Sequence, residues 1–196
     1  MNIDFRNPII KFYFSFQCPY SYMTWEMLKT LLGSRVSLAP IEIGLFPQSN
    51  SKYNYQDIWG EPRWNRLIKD AAKLDLKITP PAKYVSGITA TRAIEYYGNF
   101  NAIDYITSVF RGVFFSRIDI SLPNSLRLHL QSEGVDSSIL SAALESPATE
   151  KKANDQLMLW GHERIRMLPT VALGDERYCG FIDKSGLERF LRAELD

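Results

Sequence analysis

Cys18, Cys179, His129 and His162 are the only cysteines and histidines among 196 residues. That is too few for a disulfide framework or a cysteine zinc site, and no metal centre is expected. Cys18 stands apart because of its neighbours, Phe16-Gln17-Cys18-Pro19-Tyr20-Ser21-Tyr22. Proline suits a first helical turn, so Cys18 is expected at or beside a helix N-cap. Unpaired N–H groups and the positive end of the helix dipole favour a thiolate there, and the thiolate is the nucleophile. The expected pKa lies below the value of about 8.5 for free cysteine. The competing reading is a small buried hydrophobe.

Ser21, one turn into the helix, is a candidate hydrogen-bond donor to the sulfur, or else a backbone-bonded serine. Tyr20 is read as a substrate contact or as packing. Cys179 reads as a buried strand cysteine. His162 is a weak candidate base, better read as a surface histidine. His129, between Leu128 and Leu130, has no argument for a site. Arg164, Arg166 and Lys184 either add positive field near Cys18 or form a solvated face.

The elements that must position Cys18 follow from periodicity. Ile10, Phe12, Phe14 and Phe16 alternate with Lys11 and Ser15, the period of a strand, and Tyr13 suggests a partly covered second face. Tyr20, Thr24, Met27, Leu28 and Leu31 then fall on one helical stripe, with Gly33 as the stop. Residues 35–43 read as a second strand with a bulge or an edge at Pro40. Residues 44–54 read as a loop. The chain from Tyr55 to about Leu144 reads as mostly helical, with helices over 62–74, 88–97, 101–115, 124–131 and 137–145. Pro147 opens another helix, with Ala153, Leu157 and Trp160 inward. Residues 169–173 and 177–181 pair as a hairpin across Gly174-Asp175-Glu176, and a helix closes the chain over 184–194.

The order strand, helix, strand, helical block, hairpin, helix is that of an α/β thioredoxin-like core. Residues 1–44 and 147–196 would form one discontinuous domain, with 45–146 as an inserted helical domain. Cys18-Pro19-Tyr20-Ser21-Tyr22 and Leu168-Pro169-Thr170 resemble the active-site helix start and the cis-proline loop of the DsbA-like thioredoxin superfamily. The chain is most similar to the branch holding 2-hydroxychromene-2-carboxylate isomerases and kappa-class glutathione transferases. Ile88-Thr89-Ala90-Thr91-Arg92-Ala93 resembles that branch's Asn-Thr-Leu-x-x-x-Arg-Ala helix, and Asp119-Ile120-Ser121-Leu122-Pro123 its Asp-Ile-Ser-Asp-Pro turn.

Two departures matter. The branch carries serine where Cys18 stands, and dithiol oxidoreductases carry Cys-x-x-Cys where this chain has Ser21. The resemblance implies that Pro169 follows a cis bond and that the Leu168 backbone faces the bound thiol or peptide. It implies glutathione contacts from Pro19, Tyr20 and the loop holding Asn50, Ser51 and Lys52. The late Trp-Gly-x-Asp-Arg segment is altered here to Cys179-Gly180-Phe181-Ile182-Asp183-Lys184.

Lys and Arg total 23 against 22 Asp and Glu, which argues against a nucleic-acid partner. No apolar run suggests a membrane span, and the expected location is the cytoplasm, without a tightly bound cofactor. Three functions stay open. One is a thiol–disulfide oxidoreductase using Cys18 alone, with glutathione or another external thiol resolving the mixed disulfide. Another is a glutathione-dependent isomerase or transferase. The third is a non-catalytic thioredoxin-fold interaction protein. A small-molecule or protein thiol or disulfide is the expected substrate, and the resemblance implies a homodimer.

Overall fold

A computed structural model describes residues 10–32, 38–42, 60–81, 85–162 and 164–195. Four strands, β1 (Ile10–Phe14), β2 (Leu38–Glu42), β3 (Thr170–Leu173) and β4 (Glu176–Cys179), form one sheet in the order β2-β1-β3-β4. The sheet is mixed: β1 runs parallel to β2 and antiparallel to β3, and β4 pairs antiparallel with β3. Strands from the two ends of the chain therefore lie side by side. Pro40 is paired with Phe12 in unbroken register on an edge strand, where a missing N–H is tolerated, and no bulge is needed. Gly174 opens the two-residue β3–β4 turn at φ 60°, the positive value that its first position requires.

The helices are α1 (Pro19–Leu32), α2 (Glu61–Ala72), α3 (Ile88–Thr91), α4 (Gly98–Phe114), α5 (Pro123–Ser132), α6 (Ser138–Glu145), α7 (Pro147–His162) and α8 (Lys184–Leu195). Residues 88–97 do not form one helix: α3 ends at Thr91, and a 3-10 turn covers Ile94–Tyr97. The N–H groups of Ala93 and Tyr96 reach back three residues, to Ala90 and Ala93, as in the tighter winding. α4 begins at Gly98, ahead of the expected start at residue 101.

α1 is buried on more than the anticipated stripe. Ser21, Tyr22, Met23, Thr24 and Trp25 are all buried, because the helix is held between the sheet and α4. Phe12 stacks on Trp25 at 5.9 Å, and Phe14, Phe16 and Tyr22 each meet Phe110 of α4 at 5.1–5.5 Å. Each such buried aromatic contributes about 1.5–3 kcal/mol by leaving water. The Trp25 indole donates to Thr107 Oγ1 at 2.9 Å, so its polar edge is not stranded. Ile10, Phe12 and Phe14 face this main core, while Tyr13 points through the other face of β1 into a small separate cluster.

Two motifs of the sequence turn out to be staples. Arg92, between α3 and the 3-10 turn, donates from Nη2 to the carbonyls of Leu144 (2.7 Å), Ser146 (3.2 Å) and Ala143 (3.5 Å) at the end of α6. Asp119 Oδ1 accepts the N–H of Ser121 at 3.1 Å, and the Ser121 carbonyl accepts the Thr89 hydroxyl at 3.1 Å. No helix among the described residues is long and apolar enough to cross a membrane.

Candidate active site

β1 ends and α1 begins within four residues, and the backbone there is fixed by a tight set of hydrogen bonds. The Cys18 N–H donates to the Ser15 carbonyl at 3.0 Å, and the Gln17 N–H to Ser15 Oγ at 3.2 Å. The Cys18 carbonyl accepts the Tyr22 N–H at 3.2 Å, the first bond of the helix, which makes Cys18 the N-cap. Pro19 then occupies the first helical turn. The Gln17 amide nitrogen donates to the Val85 carbonyl and ties this junction to the helical block.

Ser21 Oγ accepts the Ser15 N–H at 3.4 Å, which leaves its own hydrogen free to point at the sulfur. The Cys18 thiol has hydrogen bonds from the Ser21 hydroxyl and from the N–H groups of Ser21 and Tyr20. All three favour the thiolate. Burial outweighs them. Cys18 is 2% exposed, packed with Tyr13, Ile165, Leu168 and Ala172, and loss of water pushes the thiol pKa up. This reverses the sequence expectation of a lowered value. Arg164, Arg166 and Lys184 are exposed, and none of them is among the groups that shift the thiol.

The opposite wall comes from the other end of the chain. The Leu168–Pro169 peptide is cis. Pro169 is buried, its carbonyl accepts the Gly180 N–H at 2.7 Å, and Thr170 Oγ1 donates to the Met167 carbonyl at 2.6 Å. The turn is thus locked from both sides, and Leu168 packs in the same cluster as Cys18. Among the described residues the Leu168 N–H and C=O take no backbone partner, so both remain available to an extended ligand. Gly180 sits at φ 91°, a backbone conformation that residues with a side chain rarely adopt, so the turn favours glycine there.

Tyr20 is half-buried at the edge of the cluster, its ring 4.8 Å from that of Phe181. Cys18, Ser21, Tyr20, Pro19, Leu168 and Pro169 are therefore gathered at one end of the sheet. Asn50, Ser51, Lys52, Tyr53, Tyr55 and Trp59, and the side chains of Leu157, Trp160 and His162, lie outside the described residues. His129 is structural: it is buried, with Nε2 2.9 Å from the Ser108 carbonyl. Cys179 is exposed rather than buried, because β4 is an edge strand. Asp183 caps α8, accepting from the Gly186 N–H at 2.8 Å and the Ser185 hydroxyl at 2.9 Å. No metal-holding group of side chains occurs among the described residues.

Sequence reasoning passed over Ser15 and Ile165. Ser15 lies three residues before the N-cap, where a strand-end serine could have been read as a turn-former. Nothing in the local pattern brings Ile165 to Cys18.

A strand-to-helix cysteine facing a cis-proline turn, on a β2-β1-β3-β4 sheet, defines the class. The chain belongs to the DSBA-like thioredoxin domain family, whose model matches residues 9–193. Among individual proteins, it is 24% identical over 190 residues to a 2-hydroxychromene-2-carboxylate isomerase of Sphingobium xenophagum, covering 84% of this chain and 97% of that one. A solved structure of a 2-hydroxychromene-2-carboxylate isomerase superposes with a TM-score of 0.75 at 24% identity, covering 94% and 93% of the two chains. A probable DsbA oxidoreductase from Streptomyces coelicolor gives 0.76 at 13% identity, covering 95% and 89%. The cytosolic disulfide reductase DsbM from Pseudomonas aeruginosa, solved with GSH, gives 0.70 at 11%, covering 95% and 98%. The structural likenesses show the fold, and membership of the family rests on the match of its model over residues 9–193.

Proposed function

We propose that this protein is a thiol–disulfide oxidoreductase of the cytoplasm that works through Cys18 alone, with glutathione as the external thiol. The observation that carries this reading is the convergence of three donors on the Cys18 sulfur, beside the unpaired backbone of Leu168. In the first step the Cys18 thiolate attacks one sulfur of a disulfide, forming a mixed disulfide and expelling the other half as a thiolate. Glutathione thiolate then attacks the substrate sulfur of that mixed disulfide, which releases Cys18 and leaves the substrate joined to glutathione. Ser21 stands where a dithiol enzyme has its second cysteine, so no neighbouring thiol shortcuts this exchange. Pro19 and Tyr20 shape the approach, Leu168 and Pro169 bind the incoming backbone, and Asn50 is assigned a glutathione contact by resemblance. A homodimer is part of this reading.

A second reading is favoured by the burial that raises the Cys18 pKa. A neutral S–H is a donor, and with Ser21 it would hydrogen-bond the thiolate of a bound glutathione in an isomerase or transferase. The isomerase of Sphingobium xenophagum lends that reading support. Intact-mass measurement after incubation with oxidised and then reduced glutathione separates the two. The oxidoreductase reading expects one glutathionyl adduct at Cys18, removed by reduced glutathione and absent from Cys18→Ala. Saturable glutathione binding without an adduct overturns it in favour of the isomerase, and neither adduct nor binding leaves an interaction protein.

A further inference from the structure

Away from Cys18, the described residues enclose a cleft of about 400 Å³ between α4, α6 and the turn after α5. That volume falls within the range of small-molecule sites, and none of the residues placed around Cys18 lines it. Asp104 and Arg111 project from α4 positions seven apart, on the same stripe as Ser108, and Glu133 and Asp136 close the other side. Three carboxylates thus face one guanidinium, and that guanidinium is already engaged, with Nη1 2.9 Å from Glu133 Oε2. Asp104 has no partner among the described residues. Asp136 Oδ1 is occupied by the N–H and hydroxyl of Ser138 at 3.0 and 2.7 Å, which leaves its second oxygen. The unbalanced field is negative, and a concave site concentrates it.

The rest of the lining is mixed: the Thr107 hydroxyl, which already accepts from the Trp25 indole at 2.9 Å and the Lys29 ammonium at 3.0 Å, lies beside Ser108 and a smaller apolar wall. Tyr97 closes the floor, its ring stacked on Tyr105 at 4.1 Å and its hydroxyl donating to the Asp136 carbonyl at 2.6 Å, and Val135 and Ile139 form the apolar wall. Ser108 is 2% exposed, and its hydroxyl has no hydrogen-bond partner among the described residues, an unmet acceptor on the carboxylate-bearing stripe. The carboxylates are not gathered closely enough to hold a metal ion. We propose that this cleft binds a small organic cation, an ammonium or amidinium carried on an apolar body. The carboxylates of Asp104 and Asp136 receive the charge, and Val135 and Ile139 receive the body. The site uses no residue of the Cys18 cluster and stands or falls independently of the chemistry there.

The test is amide chemical-shift mapping of the full chain with benzylammonium, benzyl alcohol and benzoate as probes. Benzylammonium is expected to give saturable shifts centred on Ser108, Gly134 and Val135. Asp104→Asn should weaken it about threefold, as for loss of one exposed ion pair, and Asp104→Lys should abolish it. Asp104 is exposed, so neither variant threatens folding. Equal shifts with benzyl alcohol or benzoate, shifts centred elsewhere, or binding unchanged in Asp104→Lys would each overturn the proposal.

Discussion

Replacing Arg92 by alanine tests whether the Arg-Ala motif is a staple of the fold or part of the active site. The Arg92 side chain is 16% exposed and spans from α3 to the junction of α6 and α7. Its strongest bond, 2.7 Å to the Leu144 carbonyl, is charge-assisted and worth roughly 1.5–3 kcal/mol. The guanidinium also faces the negative end of α6, for about 0.3–1 kcal/mol more. The bonds at 3.2–3.5 Å add little, and the Glu150 partner at 3.8 Å is 63% exposed and screened by solvent. The total is about 2–4 kcal/mol. Urea unfolding should show it as a midpoint lowered by about 1–2 M, and thermal unfolding as a loss of about 4–15 °C. Arg92→Lys should fall between wild type and alanine, because an ammonium cannot span the same carbonyls with a planar fork. Glu150→Gln should change stability by less than about 0.5 kcal/mol. A stable Arg92→Ala that nonetheless loses Cys18 reactivity would refute the reasoning, as would Glu150→Gln costing as much as Arg92→Ala.

The rate of Cys18 alkylation against pH should show a midpoint above that of free cysteine, because burial raises the thiol, and Ser21→Ala should move it further up by removing a donor; a midpoint below free cysteine sinks this account. Cys18→Ala is expected to abolish thiol–disulfide exchange while Cys179→Ala keeps most of it, and equal losses would mean that the two cysteines act together. Ser21→Cys should form an internal disulfide with Cys18 under mild oxidant, measured by thiol titration, since the positions lie one turn apart. The Asp183 carboxyl is held below its ordinary value near 3.8 by the Gly186 N–H and then the Ser185 hydroxyl. Its contribution is therefore present above that ordinary value and lost as pH falls through the lower folded one, and Asp183→Asn should flatten unfolding stability across that acid range.

The start of α1 and the return hairpin were legible because their signals are local. Pro19 after Cys18, the alternation from Ile10, and Gly174-Asp175 each dictate a backbone geometry on their own. The split of residues 88–97 was not legible, since α and 3-10 winding bury similar positions over so short a span, and Ile88, Thr89, Thr91 and Ile94 are stiff β-branched residues that weaken a regular helix. The exposure of Cys179 depends on β4 being outermost, a property of the sheet order. The raised Cys18 pKa has the same origin. The helix start is visible in sequence, but Ile165, Leu168 and Ala172 arrive from about 150 positions further along the chain to exclude water.

The division of the interior across β1 bears on how such a protein changes over generations. Phe12 and Phe14 turn into the core that binds sheet, α1 and α4 together, whereas Tyr13 joins Ile165, Leu168 and Ala172 around the thiol. Substitutions at Ile165, Leu168 or Ala172 reshape what meets Cys18 while the aromatic stack around Phe110 is left alone. Reactivity and scaffold can then drift at separate rates. A lineage with this layout can exchange serine for cysteine at the helix start, or one partner molecule for another, without first finding a new way to fold.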